Sequence, residues 1–152
     1  HVTGVQTCAL PIYGPSSMKH KVLVVDDEQD IVELLSYNFQ DVGFEVQTAG
    51  DGWSAVTTAQ RWLPDAVVLD LNLPDLNGFA VCELLRTLPS TKDIPILMLT
   101  AWATEQSRNI GLGLGANDYL IKPFSPRDVV GRVGRLVETA RESQCRDGRA
   151  GQ

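Results

Sequence analysis

The sequence predicts an α/β fold: one doubly wound parallel sheet with helices on both faces. Three observations carry that expectation. From Lys21 onward, strand-length apolar runs alternate five times with segments of helical period, the order that right-handed strand–helix–strand crossovers generate. Three of the runs, Val22–Val25, Ala66–Leu69 and Ile96–Leu99, are apolar throughout, as strands covered on both faces must be. Four runs close on residues with chemistry to offer: Asp26-Asp27, Asp70, Thr100 and Lys122. Parallel strands gather their carboxyl ends at one edge of the sheet, where ligands of such sheets bind. Three carboxylates, a hydroxyl and an ammonium there would suit a divalent metal and a phosphoryl group.

The elements follow in order. A strand is expected at 21–26 and a helix at 28–41, with Ile31, Leu34, Leu35 and Phe39 spaced along one face. Gly43 stops that helix. A strand at 44–48 alternates in polarity, which suits a sheet edge. A helix at 52–63 ends before Pro64. The third strand closes on Asp70, and Leu73–Gly78 reads as a loop. A helix at 78–88 turns Phe79, Cys82 and Leu85 inward and ends at Pro89. The fourth strand spans 95–100. A helix at 104–113 carries Ile110 and has two glycines near its end. The fifth strand spans 117–121. The last helix, 126–141, aligns Val129, Val130, Val133, Leu136 and Val137.

The totals bound the class. At 152 residues and 43% hydrophobic, the chain fits one globular domain with ends to spare. No apolar run is long enough to span a bilayer, so no membrane partner is expected. A net charge of −6 argues against direct nucleic-acid binding by this chain. Part of the acidity is local, with Asp26, Asp27, Glu28 and Asp30 close together as a cation site requires. Three widely spaced cysteines, Cys8, Cys82 and Cys145, suggest neither a disulfide frame nor a metal knuckle. Cys82 reads as a small core residue, and a cytoplasmic location is the simplest expectation.

The ends stand outside the pattern. Residues 1–17 lack a basic region followed by a sustained apolar segment, so they do not read as a secretory signal. Val2–Ile12 resembles the in-frame translation of a sequencing-library adapter. The expected organisation is a non-native or disordered leader at 1–17, one domain at 18–140 starting from Met18, and a linker or fragment end at 141–152.

Lys21–Glu28 (KVLVVDDE), Val67–Gly78 (VVLDLNLPDLNG), Pro95–Ala101 (PILMLTA) and Gly115–Phe124 (GANDYLIKPF) resemble the receiver domain of bacterial two-component response regulators. The likeness runs from about Met18 to Ala140 with every motif in order. It implies a flavodoxin-like (βα)5 fold with strand order 2-1-3-4-5, an order the residues alone do not specify. It implies that Asp70 is the phosphoacceptor, attacking the phosphorus of a phosphohistidine to form an acyl phosphate. It assigns Mg²⁺ to Asp27 and Asp70 directly, to Asp26 through water, and to the Asn72 main-chain carbonyl. A hard, oxygen-seeking cation suits that set, and it would offset repulsion between the clustered carboxylates and the incoming phosphoryl group. The likeness further implies that Lys122 pairs with the phosphoryl group, with a cis bond to Pro123. Thr100 would donate its hydroxyl to the phosphoryl group, and Tyr119 would be the switch aromatic that turns inward as Thr100 moves.

Within the family, the most similar branch is the winged-helix transcription factors. Their receivers form homodimers through the fourth helix, fifth strand and fifth helix. Arg108 with Asp128, and Asp118 with Arg132, match two of their charged pairs. A third pair is lost, with Asn117 and Gly134 at its positions and Arg135 adjacent. The implied partner is a sensor histidine kinase or phosphotransfer protein. The implied output is transcription regulation through a DNA-binding domain that this chain does not contain, with a stand-alone phosphorelay receiver as the alternative. An aspartate-nucleophile phosphohydrolase fits less well, because Asn72 stands where that chemistry often uses a second Asp. No enzyme activity is expected beyond self-phosphorylation and slow dephosphorylation. Trp102, two residues past Thr100, is expected to shield the acyl phosphate from water.

Overall fold

Five parallel strands form one sheet in the order β2-β1-β3-β4-β5. The strands are β1 (Lys21–Val25), β2 (Glu45–Ala49), β3 (Ala66–Asp70), β4 (Ile96–Thr100) and β5 (Asp118–Ile121). The helices are α1 (Gln29–Asp41), α2 (Gly52–Trp62), α3 (Gly78–Thr87), α4 (Glu105–Gly113) and α5 (Pro126–Ala150). This computed structural model describes residues 19–101 and 105–150. Residues 1–17 and Trp102 therefore lie outside the described residues.

Side-chain alternation divides the core into two layers, because successive residues of a strand face opposite sides of the sheet. Val22, Val24, Ala66, Val68, Leu97 and Leu99 pack under α1 and α5, against Leu35, Phe39, Val129, Val133 and Val137. Leu23, Val25, Val67, Leu69, Ile96, Met98 and Tyr119 pack on the other side, against Ala55, Ala59, Val81, Cys82 and Leu85. β1, β3 and β4 are buried on both faces, as their unbroken apolar runs require. β2 lies at an edge and stays partly exposed, in line with its mixed polarity.

Most elements fall within a residue or so of expectation, and the departures have local causes. The buried face of α1 is Val32, Leu35 and Phe39, while Leu34 is exposed. Two apolar stripes overlap on that helix, and the one facing the sheet and α5 is buried. Ile110 is exposed on α4, and Phe79 is only partly buried. α5 continues nine residues past the expected end at 141. Residues 141–150 contain no proline and one glycine, so helix propensity carries the element on. Asp51 caps α2 by accepting the Ser54 N–H at 2.8 Å, and Asn77 caps α3 through the Ala80 N–H at 2.9 Å.

Register brings the strand ends level. Val25 pairs with Leu69, Asp70 with Leu99, and Thr100 with Ile121. The residues that follow β1, close β3 and β4, and follow β5 therefore share one edge of the sheet.

Candidate functional site

Asp26 and Asp70 leave their strands as buried carboxylates, 2% and 1% exposed, while Asp27 is exposed. One oxygen from each of Asp26, Asp27 and Asp70 lies within 4.8 Å of the other two. Asp26 is held by its neighbour, its Oδ1 accepting the Glu28 N–H at 2.9 Å. Lys122 reaches the cluster from the end of β5. Its Nζ lies 3.3 Å from Asp26 Oδ2, 3.4 Å from Asp70 Oδ1 and 3.2 Å from Glu28 Oε1. The Lys122–Pro123 peptide bond is cis. The Lys122 N–H donates to the Thr100 carbonyl at 2.6 Å, which joins the ends of β5 and β4.

Electrostatics follow from that packing. Burial, then repulsion from Asp26, pushes the Asp70 carboxyl up to about 6. The Lys122 ammonium and the Asn72 N–H pull in the other direction without prevailing. Burial is the largest single influence and opposes the Lys122 charge, but Asp26, Asp70 and Glu28 together outweigh it and hold the ammonium above the ordinary lysine range. The pocket thus carries more negative charge than one lysine neutralises. Its donor atoms are all hard carboxylate oxygens, the set that Mg²⁺ prefers. The residues present therefore fit the cation that the site calls for. Asn72 and Asp27 also line a cleft of about 260 Å³ with Leu71, Pro74 and Asn77, open to solvent beside the cluster.

Thr100 and Tyr119, the pair expected to act as a switch, sit one step away. Thr100 is fully buried, and Tyr119 is 6% exposed. Tyr119 pairs with Met98, two residues before Thr100, so both side chains lie on the α2–α4 side of the sheet. Gly111 on α4 packs closely over Met98 on this same side. A Cβ there would lie 2.9 Å from Met98 Sδ and 3.5 Å from Tyr119 Cδ2.

Of the residues expected to pair between copies, Asp118, Asp128 and Arg132 make contacts within one chain. Arg132 Nη1 lies 3.0 Å from both Asp118 oxygens, and Arg132 Nε lies 3.2 Å from Asp128, all within one chain. The Arg108 side chain lies outside the described residues. Asn117 is engaged elsewhere, accepting from Arg86 Nη2 at 2.7 Å and from the Ile96 N–H at 2.9 Å. Cys82 is buried as expected, and burial raises its thiol pKa.

Three residues with work at this edge escaped the sequence reading. Asp75 accepts the Gly52 N–H at 2.7 Å and the Trp53 N–H at 3.1 Å, so the loop after β3 caps α2. Gly78 lets α3 start against the end of β3, since a Cβ would lie 2.7 Å from the Asp70 carbonyl and from Leu71 Cα. Glu28 shares the lysine. Gly78 left a signal as a glycine at a helix start, and Glu28 left one only as a member of the acidic stretch after β1.

A family profile described as "Response regulator receiver domain" matches residues 22–134. The chain is 51% identical over 120 residues to the alkaline phosphatase synthesis transcriptional regulatory protein PhoP of Bacillus subtilis, covering 79% of the chain and 49% of that protein. It is 42% identical over 124 residues to the phosphate regulon transcriptional regulatory protein PhoB of Rhizobium meliloti, covering 82% and 55%. The chain thus spans about half the length of these relatives. Among solved structures, a putative response regulator from Chloroflexus aurantiacus superposes with a TM-score of 0.74 at 39% identity, covering 78% of this chain and 98% of that one. The receiver domain of the sensor histidine kinase PA1611 from Pseudomonas aeruginosa, solved with magnesium coordinated in its active-site cleft, gives 0.72 at 30% identity, covering 78% and 98%.

Proposed function

The chain belongs to the response regulator receiver family, and from that premise we propose that it accepts a phosphoryl group on Asp70 from a histidine kinase or phosphotransfer protein. One observation carries the reading. Asp70 ends a central strand beside Asp26 and Asp27, with the Lys122 ammonium 3.4 Å from its oxygen. Such a nucleophile needs its own charge and that of the incoming group offset before attack.

Asp26, Asp27, Asp70 and the Asn72 carbonyl would hold Mg²⁺, which supplies charge neutralisation to the phosphoryl oxygens when bound. The residues do the rest. Asp70 attacks the phosphorus as its bond to the donor nitrogen breaks, leaving an acyl phosphate on the carboxylate. Lys122 moves from Asp70 to a phosphoryl oxygen, replacing one anionic partner with another. Thr100 donates its hydroxyl to the same group. Tyr119, on the same side of the sheet, follows Thr100 and alters the surface of α4 and β5.

That surface is the output. By the relatives' names, regulating transcription is the reading to test, through a DNA-binding domain on the whole protein. Homodimerisation through α4, β5 and α5 is the proposed route, using Arg108, Asp118, Asp128 and Arg132. The module has no chemistry of its own beyond taking on and slowly hydrolysing its phosphoryl group. No helix among the described residues is long and apolar enough to cross a membrane, which is compatible with the proposed cytoplasmic site of action. The proposed receiver domain spans 18–140.

The test is Mg²⁺-dependent labelling by acetyl phosphate, followed by intact mass. One phosphoryl group on the wild type and none on Asp70→Asn is the expected result. Equal labelling of both proteins would reassign the acceptor.

A further inference from the structure

Glu28 occupies the N-cap position of α1 with extended backbone, yet makes no side-chain cap. The N-caps of α2 and α3, Asp51 and Asn77, each accept a helix N–H. Glutamate is a poor cap, because its longer arm overshoots the N–H groups that aspartate, serine or asparagine satisfies. The arm goes elsewhere: Oε1 lies 3.2 Å from Lys122 Nζ, across 94 residues of sequence. A local rule broken at a helix start beside a reactive cluster points to a role in that cluster.

We propose that Glu28 is a positioning residue for Lys122, drawing the ammonium partly away from Asp26 and Asp70 and so favouring cation entry while opposing anion capture by the lysine. The inference rests on the phosphoacceptor reading and deepens it. The distances state the competition. One ammonium is shared among Glu28 at 3.2 Å, Asp26 at 3.3 Å and Asp70 at 3.4 Å. A lysine seated wholly on the two buried aspartates would repel a divalent cation from the oxygens it needs. Shared with Glu28, it leaves part of their charge to that cation. The same sharing must be undone when an anionic group claims the lysine.

The Glu28 side chain is 60% exposed, so it joins and leaves the contact without being desolvated. Its backbone has a separate task. The N–H holds Asp26, and the carbonyl accepts the Ile31 and Val32 N–H groups at 3.1 Å. Side-chain replacement leaves those bonds in place.

The experiment measures two equilibria by calorimetry on the full chain: Mg²⁺ alone, and beryllofluoride, an inorganic phosphoryl mimic, at saturating Mg²⁺. Glu28→Gln should weaken Mg²⁺ about two- to fivefold and tighten beryllofluoride by a similar factor, the range that one solvent-exposed ion pair supports. Glu28→Asp keeps the charge on a shorter arm, so it should behave like Glu28→Gln. Urea unfolding of each variant checks that α1 is intact. Unchanged constants, or shifts of both in the same direction, would overturn the proposal. A wild-type-like Glu28→Asp would overturn it too, since net charge rather than contact with Lys122 would then be at work. The underlying reading is tested apart from this: wild type should bind beryllofluoride and Asp70→Asn should not, whatever Glu28 does.

Discussion

The Lys122 ammonium lies 3.3 Å from an oxygen of Asp26, a residue 96 positions away and 2% exposed. The same ammonium lies against Asp70, so one partly exposed cation serves two buried anions. Removing a partner from such a group strands charge in a poorly solvated place. Lys122→Met is therefore expected to lower the unfolding free energy by about 3 kcal/mol in metal-free buffer near neutral pH. Urea melts with chelator, repeated with Mg²⁺, make the check. The loss should shrink when the cation is added, and identical midpoints in chelator would mean that water already screens the pair.

Asp70 sets the pH dependence. Its carboxyl is pushed up from 3.8 to about 6, by burial first and Asp26 second. A folded pKa above the unfolded one means that the folded protein holds the proton more tightly. The contribution is whole below about pH 4 and is lost as pH rises through about 6, amounting to about 2–3 kcal/mol. Metal-free protein should therefore become less stable from about pH 4 to about pH 6 and level off by about pH 7. Asp70→Asn has no proton to lose and should be nearly flat across that window. Chemical melts at half-unit steps decide it, and a wild-type curve that rises toward pH 7 would contradict the assignment.

Much of this edge is legible in the sequence. Val22–Val25, Ala66–Leu69 and Ile96–Leu99 are strands because nothing polar interrupts them, and each strand's last residue is named by where the apolar run stops. Strand order was legible only through the family likeness, since β1 next to β3 leaves no mark on either run. Contacts made between loops were not legible at all. Asp75 caps a helix that begins 23 residues earlier, a relation with no local spacing. The choice between Val32 and Leu34 on α1 depended on which stripe faces the sheet, a fact of packing rather than period. Glu28 looked like one more acid in an acidic stretch, and only the direction of its side chain separates it from Asp30.

Gly78 stands where the backbone of α3 meets the end of β3. Its N–H donates to the Leu71 carbonyl at 3.0 Å, closing the loop that carries Asn72. Gly78→Ala would drive a methyl group to 2.7 Å from Leu71 Cα and the Asp70 carbonyl, backbone atoms that cannot swing aside. A cost of about 1–3 kcal/mol is expected from overpacking of this kind. Because the loop must move, Mg²⁺ affinity should fall with stability. Thermal melts and Mg²⁺ calorimetry on the variant test both effects, and lost stability with unchanged affinity would show that the loop yields away from the cluster.

Arg132 carries the last prediction. Within one chain its guanidinium forks onto Asp118 at 3.0 Å and touches Asp128 at 3.2 Å. The Asp118 hydrogen bond, acting against slight desolvation, raises the guanidinium pKa further. A dimer using Arg132 between copies must share or exchange these partners, so its net gain per pair is small, as exposed ion pairs generally are. Association should accordingly be weak without phosphorylation and sensitive to salt. Arg132→Glu puts three acids together on each copy and, in a symmetric interface, repeats the repulsion on both sides. Sedimentation of beryllofluoride-treated protein should show a dimer for the wild type and a monomer for the variant. If the variant still dimerises with equal strength, the α4–β5–α5 face is not the contact, and Arg132 serves only to brace β5 against α5.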